Sequence, residues 1–146
     1  TIYAELAEKT PELGALEKKI SSLKENKSDS IKHFTDYNYK NQYYYNAASA
    51  KIKLIKDSVL RTKINLIIEK SLSRYNNSIA LDKNLLTQIE NKSITLNDMH
   101  LALKVAKSLK VIENFQRSNK PSKKPLNSLI KELDSTIRLV DTLTKK

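Results

Sequence analysis

Five of the seven tyrosines fall within residues 37–45, at Tyr37, Tyr39, Tyr43, Tyr44 and Tyr45, with Lys40 among them. Tyrosine joins a large apolar ring to a polar hydroxyl, a combination that suits recognition surfaces. The consecutive rings of Tyr43, Tyr44 and Tyr45 cannot share one side of a helix, because successive side chains point about 100° apart. At least one of them must stay exposed. A second concentration is basic: Arg117, Lys120, Lys123 and Lys124 surround Pro121. Proline restricts such a segment and lowers the cost of ordering it on binding. Aromatic burial and charged anchors are the two chemistries that binding hot spots favour.

Catalytic chemistry has much less to draw on. His33 and His100 are far apart in the chain, and neither lies at the H-E-x-x-H or E-x-x-H spacing that places metal ligands on a helix. Both read as histidines at the edge of a buried face. The carboxylates mostly lie beside or one turn from lysines; Glu5 with Lys9 and Glu113 with Arg117 are spaced as surface pairs. There is no Cys and only one Gly. That removes disulfides, thiolate metal sites and cysteine nucleophiles, and it removes the glycine-rich loops that cradle phosphates. The chain reads as noncatalytic, with no metal and no cofactor.

Charge points to partners. Lys and Arg number 27 against 16 Asp and Glu, for a formal net charge of +11. Residues 1–50 are balanced, so the whole excess lies in residues 51–146. Lys51, Lys53, Lys56, Lys63, Lys104, Lys107 and Lys110 form the candidate patch. A polyanion would be held there without sequence preference. Only four residues are Arg, the side chain that best reads base edges and phosphates, and no nucleic-acid-binding motif spacing occurs. A nucleic acid is therefore the poorer alternative, and a heparin-like sulfated polysaccharide would use the same lysines.

The elements that must position these residues are helices. Leu and Ile dominate the apolar set and recur every three or four residues, and no apolar run approaches the ~20 residues of a membrane span. Thr10-Pro11 predicts a helix start, with Leu13, Leu16, Ile20 and Leu23 on one face and an end at Asn26-Lys27. Residues 1–9 read as a linker or partial helix. Asp29 or Ser30 would cap a second helix bearing Ile31 and Phe34. Residues 37–46 are either a helix broken by a loop or one continuous helix with a wet aromatic face. A strong stripe then runs from Ala47 to Asn76-Asn77. Ser78 would cap a short helix ending at Asn91-Lys92-Ser93, and Thr95 with Asp98 would open the next, reaching Phe115. Ser118–Pro125 reads as a loop, and Leu126 to Val140 as the last helix. The expectation is a single all-α domain over residues 1–146. It would be a helical bundle of about five helices, four long with one or two short, and monomeric.

The composition adds a resemblance. The glycine-poor, tryptophan-free, Lys/Asn/Ile-rich chain contains segments such as Ser21-Ser22-Leu23-Lys24-Glu25-Asn26-Lys27 and Lys63-Ile64-Asn65-Leu66-Ile67-Ile68-Glu69-Lys70. In these it resembles the helical domains of outer-surface lipoproteins of Borrelia spirochaetes, and in size and basic character the C-terminal bundle of the fibronectin-binding lipoproteins. The resemblance implies a module for immune evasion, lipid-anchored at the bacterial outer surface through an N-terminal segment of a longer protein. Its partner would be a host serum protein, with a complement protease of the classical pathway foremost and a matrix protein as the alternative. Inhibitors of that group offer one basic side chain from an early loop and another from a later helix. Lys40 or Arg61 would be the early residue here, and Arg117 or Lys120 the later one.

Overall fold

The computed structural model describes residues 1–146. It is an all-α helical bundle of five helices without a strand: α1 (Ile2–Lys9), α2 (Pro11–Ile52), α3 (Ser58–Ser78), α4 (Ala80–Asn119) and α5 (Lys124–Thr144). Four are long and one is short, the numbers the spacing predicts, but the short one is Ile2–Lys9 and not the helix expected over residues 78–91. The chain divides into two compact units, Thr1–Val105 and Ala106–Lys146.

Several helix boundaries differ from the sequence reading. Residues 1–9 form a true helix, capped by the Thr1 hydroxyl, which accepts from the Ala4 N–H at 3.2 Å. Pro11 opens α2 as expected, but the Thr10 side chain makes no capping bond. The predicted break at residues 26–30 does not occur, and α2 runs on through the tyrosines as one continuous helix of 42 residues. No Gly or Pro lies in residues 15–52, and the propensity penalty of Asn, Ser or Asp inside a helix is at most about 0.7 kcal/mol each, small enough for packing to override. The break expected at 91–95 is also absent. There Ser93 and Thr95 turn their hydroxyls back onto the Ile89 and Asn91 carbonyls, at 2.7 and 3.0 Å. That is the alternative to capping open to Ser and Thr.

Conversely, the stripe from Ala47 to Asn77 is two helices, not one. The turn at residues 53–57 ends with Asp57, whose Oδ1 accepts from the Leu60 N–H at 2.9 Å and caps α3. Arg61 reinforces the turn by donating from Nη1 to the Ile55 carbonyl at 2.8 Å. Ser78 is the last residue of α3, bonded to the Tyr75 carbonyl at 2.6 Å, and does not cap the next helix.

Within the first unit α1 packs on α2, and α2 on α3. Tyr3, Ala7 and Leu13 are buried together with Leu6 and Leu103 against them. The only glycine allows the close approach of α1 to α2: a Cβ at Gly14 would stand 3.2 Å from the Ala7 carbonyl oxygen. Ile52, Tyr75 and Ile79 are buried near the ends of α2 and α3. In the second unit, α5 has no buried residue at all.

Candidate functional site

The tyrosine segment resolves into two sides of α2. On the side facing α3, the rings of Tyr37 and Tyr45 approach Tyr75 with centroid distances of 6.1 and 5.8 Å. The hydroxyls of Tyr45 and Ser71 share a hydrogen bond of 2.8 Å, and the Tyr75 hydroxyl donates to Asn38 Oδ1 at 2.9 Å. The two more buried hydroxyls of this seam, those of Tyr45 and Tyr75, thus each have a partner, as buried hydroxyls require, while Tyr37 keeps about half of its surface in water. Burial, with the neighbouring phenols of Tyr37 and Tyr45, pushes the Tyr75 phenol above its ordinary value.

The other side of the same turns is open to solvent. Tyr39 and Tyr43, one helical turn apart, are 71% and 67% exposed. Lys40 is exposed between them, and Tyr44 is exposed while its ring meets Tyr45 edge-on at 5.5 Å. Asp36 lies one turn before Lys40, ion-paired with Lys32 at 2.8 Å. That hydrogen bond holds the Asp36 carboxyl below its usual range and raises the lysine. Tyr43 and Tyr44 bear out the need for at least one exposed ring, and Lys40 lies on a helix rather than on a projecting loop.

The basic residues separate in the same way. Arg61 is half-buried and engaged by the Ile55 carbonyl, which makes it part of the α2–α3 turn. Arg117 lies in the last turn of α4, Lys120 and Lys123 in the connecting loop, and Lys124 at the first position of α5. All four are exposed, and none has an ion-pair partner. The pairs expected at Glu5–Lys9 and Glu113–Arg117 do not close; those formed on single helices are Lys32–Asp36 and Asp141–Lys145.

One polar node was missed in the sequence. Glu17 of α2 accepts at a single oxygen from the Tyr3 hydroxyl of α1, at 2.7 Å, and from His100 Nε2 of α4. The Tyr3 ring packs edge-on against His100 at 6.3 Å, with the Lys104 ammonium 5.8 Å from its centroid. Residues distant in sequence meet here, so no local spacing announced them. The hydrogen bonds from His100 and then Tyr3 outweigh burial and hold the Glu17 carboxyl below the usual carboxylate range. Burial, then the bond to Glu17, pushes the Tyr3 phenol up to about 12. His33 is exposed on α2, away from any such node.

Beside the node, α2 and α4 enclose a groove of about 490 Å³. Ile20, Leu23, Ile31, Ile89 and Leu96 supply its apolar floor, and Lys24, Lys27 and Lys92 its rim. Lys27 is tied to Glu90 at 2.8 Å. No group of three or more His, Asp or Glu side chains comes together, and no helix is long and apolar enough to cross a membrane. No family model, curated protein or solved structure matches the chain.

Proposed function

We propose that this chain is a noncatalytic binding domain for a host serum protein, directed at complement, with an initiating serine protease of the classical pathway as its target. The observation that carries the binding role is the two-sided tyrosine segment of α2. Its inner rings lock the helix to α3, and its outer rings, Tyr39 and Tyr43, stand in water beside Lys40. Outer rings on an already ordered helix lose little further freedom on binding, which leaves more of the contact energy as affinity.

The choice of a complement protease rests on the compositional resemblance and on one chemical fit. Trypsin-like proteases take a basic side chain into a pocket with an Asp at its base. Lys120 precedes Pro121, and a residue before proline is held to extended backbone, the form in which such enzymes bind a chain. The bond after Lys120 is one to proline. Lys120 is accordingly the favoured anchor, with Arg117 and Lys123 beside it in sequence. Arg61, half-buried and bonded to the Ile55 carbonyl, is the poorer candidate for such an anchor. The lipid-anchored surface location of the longer protein belongs to the same proposal.

Surface plasmon resonance with purified complement proteins tests it. Binding should be submicromolar, and Tyr39→Ala, Tyr43→Ala and Lys120→Ala should each weaken it by about tenfold or more. Absence of any complement protein binding at micromolar concentration would overturn the target. A second reading, a sulfated polysaccharide or matrix ligand, is favoured by the unpaired run Arg117, Lys120, Lys123 and Lys124. Its signature is affinity for heparin that falls steeply between low and physiological salt.

A further inference from the structure

We infer that α5 is completed by α5 of a second copy of this chain, the two helices running parallel. Leu126, Ile130, Leu133, Ile137 and Val140 are spaced alternately four and three residues apart, the seam of a coiled coil. Each leaves more than half of its surface in water. Soluble monomers rarely expose continuous apolar patches above a few hundred Å². A helix of 21 residues is about 31 Å long and about 10 Å across, so its apolar face is of that order. Two such faces together bury about 600 Å², below the size of stable interfaces, so association through them alone is weak and reversible.

The residues of the seam select the occupant. Ile130 and Ile137 alternate with Leu126 and Leu133, and β-branched residues at one seam position with Leu at the other favour two parallel strands. Asp134 and Asp141 border one shoulder, with Lys131 and Arg138 a step further round on that side, and Glu132 lies toward the other, a mixed border unlike the Lys- and Arg-rich one of helices that lie on anionic bilayers. An antiparallel pair would set Asp134 against Asp134 of the second copy; the parallel pair sets Asp141 beside Thr136 of the second copy. Parallel pairing also brings the two Lys120–Lys124 segments to one end. Their repulsion is screened by salt, so added salt should strengthen the dimer.

Sedimentation equilibrium of the full chain between about 1 and 200 μM should show reversible dimerisation with a micromolar Kd, tighter at high salt. Leu133→Asp combined with Ile137→Asp should remain monomeric throughout. Because the chain has no Cys, Leu133→Cys offers a second test that leaves α5 apolar. Mild oxidation should give about tenfold more disulfide dimer than Ser135→Cys on the opposite face. A monomer mass at every concentration, equal cross-linking of the two cysteine variants, or binding to anionic phosphatidylglycerol vesicles without self-association would each overturn the pairing.

Discussion

The α2–α3 seam and α5 are both built from amphipathic helices, yet they stand in opposite states. The seam gives the Tyr45 and Tyr75 hydroxyls their partners, and Tyr75 is buried in it. Helix α5 has the more regular apolar stripe of the two and buries none of it. Periodicity therefore announces that a face needs a partner without saying whether that partner lies in the same chain. The seam also shows why tyrosine serves where leucine would not: one helix can hold rings in contact on one side and offer rings to solvent on the other, because each ring carries its own polar tip.

The largest effect should come from emptying the seam. Tyr75→Ala removes a buried ring with three tyrosine or asparagine neighbours, and should destabilise the first unit by about 3–5 kcal/mol, read by urea denaturation. The same truncation in α5, Leu133→Ala at low micromolar chain, should change that transition by no more than about 0.5 kcal/mol. Equal effects would erase the distinction between the two regions.

The Glu17 node should give an intermediate effect and a pH signature. Glu17→Gln leaves Tyr3 and His100 with a neutral acceptor and should cost about 1–3 kcal/mol near neutral pH. Glu17 is depressed in the folded chain. Its contribution is therefore full above the unfolded carboxyl value of about 4.3 and is lost as pH falls through the lower folded value. Thermal unfolding of the parent should lose ground to Glu17→Gln on acidification. At the alkaline end, the Tyr3 phenol is raised to about 12. Its protonated form contributes fully below the unfolded value of about 10, and the contribution disappears as pH rises through the folded one. Ultraviolet titration of Tyr3→Phe should lack one late-ionising tyrosine.

The smallest effect belongs to the exposed pair Lys27–Glu90. Lys27→Ala should alter stability by less than about 1 kcal/mol, and less still in high salt. Tyr39→Ala should also leave stability nearly unchanged while weakening ligand binding, which separates the open side of α2 from its closed one.

The fold class and the last helix were legible because Leu and Ile recur at helical spacing, because Pro121 lies in the break after α4, and because Pro125 stands in the first turn of α5. The internal breaks were not. Ser93 and Thr95 carry the residue types of helix caps, but their hydroxyls bond to the preceding turn, and nothing local separates the two uses. Asp57 was a true cap overlooked inside a strong apolar stripe. The tyrosine segment was legible as a partly exposed surface from the 100° rule alone, whereas its pairing with Ser71 and Tyr75 depends on a contact made through the turn at residues 53–57. The Glu17 node joins three helices, so only the folded chain reveals it.

The contrast between the two regions is tested most directly by hydrogen exchange of the full chain at low and high concentration. Amides of α2 and α3 around Tyr45 and Tyr75 should be equally protected at about 1 and about 200 μM, while those of α5 should exchange rapidly in the dilute sample and gain protection only in the concentrated one. Protection of α5 that is already equal to that of the seam in the dilute sample, and unchanged by concentration, would contradict the account.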